Sequence, residues 1–515
     1  HVGLRTQPSI MTPTLDELLQ ASVQRHAGRP ALAWEARQMT YRDLGAAAER
    51  LAARLPDDLA GQRVGILAPN TPAFVVALLA AWRRGAVAVP LSARWREYEL
   101  RRVLPDAEPA ALIAIETHRG FSFADLLAAI IPELPTLSRC LLVDPLGEVI
   151  GERPGPAQAI PAPLDPEIAL LLYTSGTTGA PKGALVRHRT YLDGVPAINA
   201  ILAATPDDVC LMIIPVAHAF GLEMLVAALA AGSQSVLIDS TFSMGPLLEA
   251  MRRYRATLLH GSPALFIAFL KQAAGDRGLL RTGFVAGASC PSEVLARLDA
   301  AGLCILNLYG MTEIAAATCC RPDDPAEVRY TTVGRPLPGY TFRVVGGEVG
   351  EVQVQGPHVT PGYYRQPEQT AAAHDEGWFR TGDLGSLDDR GNLRIVGRAK
   401  EVIHVAGLNV FPAEVEGLLL THPDVVQAAV VGVPHPTLGE VPQAFVVLRP
   451  GTNLAPTALL QFARERIAGY KLPYVIRLLP ALPLLASGKP DRIALARIAR
   501  EEAHAGSSDR VHPAL

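Results

Sequence analysis

The sequence predicts an α/β protein built around a parallel sheet. Helical and strand patterns alternate between about residues 14 and 91 with only short turns separating them, and the strands among them read as short buried runs. Hydrophobic residues make up 49% of the 515-residue chain, ample for packed cores. At ~100–200 residues per domain, this length corresponds to roughly three or four domain-sized units.

Taken in order, residues 1–10 lack a basic segment followed by a long apolar run. No secretory leader is therefore expected; these residues read as a flexible remnant, with Met11 as the native start. Thr14-Leu15-Asp16-Glu17 has the form of a capping box opening an amphipathic helix to about Val23. Thr40-Tyr41-Arg42-Asp43 repeats the pattern, more weakly, before a second helix. Arg63–Ala68 then predicts a buried strand, Ala73–Arg84 a helix and Ala86–Leu91 another strand. Residues 151–165 are rich in Pro and Gly without an apolar period and are expected to form a surface loop. Near Arg398, β-rich sequence with Gly-Asn and Asp-Arg-Gly turns gives way to a compact block of about a hundred residues, so the main domain boundary is placed there, dividing 11–397 from 398–505. The tail Ala505–Leu515 is too polar and irregular to pack.

Composition narrows the function. Lys and Arg total 47 against 50 Asp and Glu, a formal net charge of −3, so no strong field favours a nucleic acid or an anionic membrane. Phe74–Trp82 stops at Arg83-Arg84 and Met224–Gly232 follows Glu223, so neither run approaches the roughly 18–20 uncharged residues of a membrane span. The six cysteines show no CxxC spacing, arguing against a zinc site or a disulfide scaffold and for a reducing cytoplasm.

The first motif with chemical content is Tyr173-Thr-Ser-Gly-Thr-Thr-Gly-Ala-Pro-Lys-Gly183, directly after the apolar run Ile168–Leu172. Glycines let backbone N–H groups turn toward an anion, hydroxyls add donors and Lys182 adds charge, a combination suited to a polyphosphate. It is not a Walker A loop, because the Gly-Lys-Ser/Thr ending is missing.

This loop resembles the signature of the adenylate-forming superfamily, which includes acyl- and aryl-CoA synthetases, nonribosomal peptide adenylation domains and firefly luciferase. Further family motifs follow in order: Leu308-Tyr-Gly-Met-Thr-Glu313, Gly377-Trp-Phe-Arg-Thr-Gly-Asp383, Gly397-Arg-Ala-Lys400, Gly407-Leu-Asn-Val-Phe-Pro-Ala-Glu-Val-Glu416 and Ser487-Gly-Lys-Pro-Asp-Arg492. The resemblance implies a large N-terminal domain of layered α/β subdomains, a small mobile α+β C-terminal domain, and ATP-dependent activation of a carboxylic acid.

Residue by residue, it implies a nucleotide site built from Thr174, Ser175, Gly176, Thr177, Thr178, Gly179 and Lys182, from Gly287, Ala288 and Ser289, from Asn307, Tyr309, Gly310, Met311 and Thr312, and from Asp383, Ile395 and Arg398. Tyr309 would stack on adenine and Asp383 would accept both ribose hydroxyls, a task for a two-oxygen acceptor. Arg398 would contact the same sugar or phosphate. Glu313 resembles the magnesium-associated glutamate, and Thr312 would contact an α-phosphate or acyl-adenylate oxygen. Lys489 resembles the adenylation lysine, whose flexible ammonium reaches both acid and phosphate. His218, Phe220, Gly221, Leu308, Gly310, Ile314, Ala315 and Ala316 would form the acid pocket, with His218 also catalytic; Lys400 would be the hinge and Gly407 the backbone lining of a thiol passage.

No Asp occupies the segment Pro215–Gly221 to grip an α-amino group, and Leu308 stands where malonyl-specific members carry Arg. A mainly apolar monocarboxylic acid, aryl or fatty, is expected, with ATP, Mg²⁺ and coenzyme A as co-substrate. A stand-alone enzyme loading a carrier-protein phosphopantetheine and a luciferase-like oxidoreductase are the alternatives. Nothing in the sequence fixes the oligomeric state.

Overall fold

A computed structural model describes residues 13–174, 182–239, 244–273, 275–405, 408–485 and 488–504. They form a large N-terminal α/β domain and a smaller C-terminal α+β domain. Residues 1–10, Met11 and the tail Ala505–Leu515 lie outside the described residues.

The early elements match the sequence pattern to within two residues. Thr14 caps the helix Leu15–Arg25 through a complete capping box, and Thr40 does the same for Tyr41–Ala52. Arg63–Leu67 is a strand, Pro72–Arg83 a helix and Val87–Leu91 a strand. Every residue of the helix from Pro72 to Trp82 is buried, as its lack of a polar face requires. These elements belong to a seven-stranded sheet with the spatial order Lys182–Arg187, Ile168–Thr174, Val87–Leu91, Arg63–Leu67, Ala111–Ile115, Arg139–Val143, Val149–Pro154. Its interior pairs are parallel and its two outer pairs antiparallel.

One expectation is corrected here: the segment 151–165 is not a loop throughout. Its first four residues belong to Val149–Pro154, which pairs antiparallel with Arg139–Val143 along the sheet edge. Neither face of this edge strand is deeply buried, so it needs no apolar period. Downstream, the connection is tied to the sheet by Arg63, whose fully buried guanidinium donates to the carbonyls of Ala162 at 2.7 Å and Ala107 at 3.2 Å.

A nine-stranded sheet runs Arg335–Pro336, Ala315–Cys319, Cys304–Met311, Thr282–Val285, Leu258–Leu259, Val209–Met212, Gln234–Leu237, Pro30–Trp34, Arg37–Thr40. It too is parallel in the middle and antiparallel at its ends. A third, antiparallel sheet is built on Thr341–Val345, Gly350–Gln355 and Trp378–Leu387, with Leu393–Arg398 beside the last of these. A short 3-10 turn, Ala399–Glu401, leads to the C-terminal sheet, where Gly439–Leu448 lies between Val425–His435 and the parallel strand Val475–Leu478. That sheet has its own apolar cores.

All six cysteines are free. Among the described residues no helix is long and apolar enough to cross a membrane, and no group of three or more His, Cys, Asp or Glu is placed to hold a metal.

Candidate active site

The parallel strands of the nine-stranded sheet deliver their carboxyl ends to one cleft, the place where open α/β sheets bind ligands. Ile213–Pro215 follow Val209–Met212, Gly287–Ser289 follow Thr282–Val285, and Leu308–Glu313 close Cys304–Met311. The third sheet adds Asp383, Ile395 and Arg398, and the C-terminal domain adds Lys489 from the facing side. The cleft encloses about 2870 Å³, several times the ~300–1,000 Å³ of a single small-molecule pocket, and so has room for more than one substrate.

Two polar constellations organise it. In the first, the buried Asp383 carboxylate accepts a hydrogen bond from the Tyr309 hydroxyl at 2.7 Å and pairs with Arg398 Nε at 3.0 Å. Gly382, at φ +71°, precedes it within the strand Trp378–Leu387, where the pairing with Gly350–Gln355 shifts register, and the Thr381 hydroxyl accepts the Asp383 N–H while donating to Val352 O at 2.6 Å. Burial raises the Tyr309 phenol well above its usual range, and Asp383 adds to the effect. The ring is therefore a neutral apolar surface at cleft pH.

In the second, Glu313 accepts from the Tyr363 hydroxyl at 2.8 Å, while Thr360 N–H binds the Glu313 carbonyl at 2.7 Å. The ammonium of Lys182 lies 5.3 Å from the centre of the Tyr363 ring. Burial pushes the Glu313 carboxyl up, against the pull of Tyr363 and of the Arg398 and Lys182 charges. Lys489 reaches toward Gly287: a Cβ added there would stand 3.9 Å from Lys489 Cε. Desolvation lowers the Lys489 ammonium first and Arg398 lowers it further, with Asp383 and Glu401 opposing.

Thr174 pairs with Lys182 across the base of the signature loop. Ser175, Gly176, Thr177, Thr178 and Gly179 lie outside the described residues, as does Gly407. Ala288, Ser289, Met311 and Thr312 line the cleft. Asn307 lines it too, but its amide donates to the carbonyls of Arg329 and Thr332, each at 3.0 Å. Lys400 sits exposed in the turn Ala399–Glu401 at the cleft margin.

On the acid side, His218, Phe220, Leu308, Gly310, Ala315 and Ala316 line one wall. Gly310 has no space for a side chain, since a Cβ would fall 1.9 Å from Ala315 O in the adjoining strand. Gly221 and Ile314 stand behind this wall: Gly221 is packed over Pro215, and buried Ile314 lends its carbonyl to the Tyr340 hydroxyl.

Sequence reasoning missed three polar residues. Tyr363 lies 50 positions from Glu313, and no spacing links them. Thr381 reads as one residue of the Trp-Phe-Arg-Thr-Gly-Asp run. Glu223 interrupts an apolar helix, a signal visible in the sequence but assigned there only to bounding a hydrophobic stretch.

The arrangement supplies cations, a hard carboxylate and a neutral aromatic face around a space open to an apolar wall, which suits joining a phosphate to a carboxylate. Comparison with known proteins gives the same direction. Residues 19–364 match the family model described as AMP-binding enzyme, and residues 414–489 the model described as AMP-binding enzyme C-terminal domain. A (7a-methyl-1,5-dioxo-octahydro-1H-inden-4-yl)propanoyl:CoA ligase of Mycobacterium tuberculosis is 36% identical, covering 94% of this chain and 97% of that protein. A feruloyl-CoA synthase of an Amycolatopsis species is 34% identical over 91% and 94% of the two chains. The solved anthranilate CoA ligase AuaEII, in complex with anthranoyl-AMP, superposes with a TM-score of 0.85 at 26% identity, covering 97% of this chain and all of its own.

Proposed function

The chain belongs to the AMP-binding enzymes of the adenylate-forming superfamily, on their acyl- and aryl-CoA ligase branch, and from that premise we propose that it activates a mainly apolar monocarboxylic acid as acyl-AMP and passes the acyl group to coenzyme A. The observation that carries the reading is the convergence of Lys489, Glu313, Lys182 and Asp383 on one cleft with an apolar wall.

In the first step an acid oxygen attacks the α-phosphorus of ATP and pyrophosphate leaves. The Lys489 ammonium lies between the two anions and offsets the charge growing on the phosphoryl oxygens. Tyr309 presents its ring to the adenine, and Asp383 exchanges its present partners for the ribose hydroxyls, leaving Arg398 to face phosphate. An Mg²⁺ ion would be held by Glu313, the kind of hard oxygen donor this cation prefers, whose carboxylate has a single described side-chain partner. Bound there, it would neutralise phosphate charge. In the second step the coenzyme A thiolate attacks the acyl carbonyl and AMP leaves, with His218 and Phe220 lining the acid wall.

The test is AMP release from ATP across benzoates, cinnamates and short- and medium-chain fatty acids, with and without coenzyme A. Acyl-CoA formed together with AMP is expected. A thioester formed only on a phosphopantetheinylated carrier protein, or oxygen consumption without any thioester, would replace this reading with one of its alternatives.

A further inference from the structure

Arg492 follows Lys489 by three residues, and its guanidinium serves three elements at once. It grips the Glu416 carboxylate with a fork, Nη1 to Oε1 at 2.6 Å and Nη2 to Oε2 at 3.1 Å. Nη1 also donates to Val430 O at 2.6 Å, and Nε pairs with Glu401 at 3.1 Å. Glu416 lies on the helix Pro412–Thr421 and Val430 in the strand Val425–His435, both in the body of the C-terminal domain, whereas Glu401 ends the turn Ala399–Glu401. The side chains of Arg492, Glu416 and Glu401 are 26%, 14% and 35% exposed, so water screens these pairs only in part.

Little slack separates Arg492 from Lys489. Asp491 caps the helix Arg492–His504 by accepting the N–H groups of Ile493 and Ala494, and its own N–H binds Pro483 O at 2.9 Å. Leu484 bridges Pro490, and the Leu485 N–H binds Lys489 O at 2.8 Å. The lysine therefore rides on a short cross-tied ribbon, stiffened by the fixed φ of Pro490. On the other side of the turn, Arg398 pairs with Asp383 at 3.0 Å and lies opposite it in the third sheet. Only Ala399 and Lys400 then stand between a residue anchored to the large domain and one anchored to the small domain.

We propose that Arg492 is a positioning residue for adenylation: through Glu401 it fastens the ribbon that carries Lys489 to the turn between the domains, so that the lysine arrives at the phosphate as the end of a rigid arm. The inference rests on the acid–thiol ligase reading above, in which Lys489 serves the first step, and adds the parts that aim it. The fork to Glu416 already joins helix to strand, and Glu416 Oε1 accepts the Val430 N–H at 2.7 Å as well. The contact with Glu401 contributes nothing to that body; it ties the body to the turn. Glu401 also acts through space on the Lys489 ammonium, opposing its desolvation, so field and tie must be separated by experiment.

Pyrophosphate exchange and thioester formation from supplied acyl-adenylate are measured for Arg492→Lys, Glu401→Asp and Glu401→Gln, alone and combined with Lys489→Ala, with urea melts to establish folding. Arg492→Lys keeps the charge and loses the fork; Glu401→Asp keeps the charge and shortens the reach. Each single variant is expected to lower adenylation kcat about 10- to 100-fold, the loss that a ~1 Å misplacement can produce, while the ATP KM and the thioester step stay within about twofold. In the Lys489→Ala background the same substitutions should have no further effect, because they act only through the lysine. A purely structural role predicts equal losses in both half-reactions and the same loss in either background, and either result overturns the proposal. So does undiminished adenylation in the folded variants, or a loss in Glu401→Gln that Glu401→Asp does not share, which would assign the effect to the charge alone. If Arg492→Lys does not fold, the two Glu401 variants, which leave the Glu416 fork intact, decide. Adenylation lost in Lys489→Ala but normal in the Arg492 and Glu401 variants leaves the ligase reading standing without the proposal; undiminished adenylation in Lys489→Ala removes both the lysine's role and the proposal.

Discussion

Asp383 holds two partners in its carboxylate, Tyr309 and Arg398, and both must be exchanged if ribose is to bind there. Asp383→Ala is expected to raise the ATP KM at least tenfold with a smaller effect on kcat, since the lost contact holds substrate and transition state alike. Steady-state kinetics at varied ATP will show it. Lys489 should behave in the opposite way. Lys489→Ala is expected to remove about 3–4 kcal/mol of transition-state stabilisation from adenylation, while thioester formation from supplied acyl-adenylate survives better. Equal losses in the two half-reactions would show that the lysine has another role. Both residues were legible in the sequence because they sit inside ordered motifs. Tyr363 was not, because its tie to Glu313 exists only after the segment 360–363 folds onto the end of the hairpin formed by Cys304–Met311 and Ala315–Cys319.

At the scale of elements, local chemistry was legible and docking was not. The capping box at Thr14 predicted where the first helix begins, but not that His188 Nδ1, at the start of a helix far along the chain, accepts the Leu15 N–H at 3.1 Å. That histidine must stay neutral to accept, and burial lowers its pKa to about 4. Between pH 6.5 and 4 the unfolded chain therefore binds a proton that the folded chain refuses, and stability falls as pH drops through this window, by on the order of 3 kcal/mol at most. His188→Gln retains an acceptor without titrating. It is expected to flatten this part of the pH profile in urea melts compared at pH 7 and pH 5, and an unchanged acid slope would assign the loss to other groups. The edge strand Val149–Pro154 illustrates the converse: its pairing comes from a neighbouring strand rather than from an apolar pattern of its own.

At the scale of the molecule, the sequence marked the change of character near Arg398, and the 3-10 turn Ala399–Glu401 now stands between the last two large sheets. We infer that the C-terminal domain turns about Lys400, the hinge the family resemblance implies, and Lys400→Pro fixes φ near −65° in the middle of that turn. Adenylation, followed by pyrophosphate exchange, is expected to remain measurable while coenzyme A transfer falls much further; comparable rates for both steps in a folded variant would rule out rotation at this position. The order of the two large sheets was not legible, because their neighbours are far apart in the chain. Leu32 lies opposite Ser235, so the strand Pro30–Trp34 has only Arg37–Thr40 beside it until some two hundred more residues exist. During synthesis at ~5–20 residues per second, that is a wait of about 10–40 s with one backbone edge unsatisfied and with Ala33, whose core neighbours all come from later elements, uncovered. The hairpin at the start of the chain is thus made first and finished late, and a ribosome stalled before residue 234 would hold a nascent chain whose open edge invites a neighbour's strand or a chaperone.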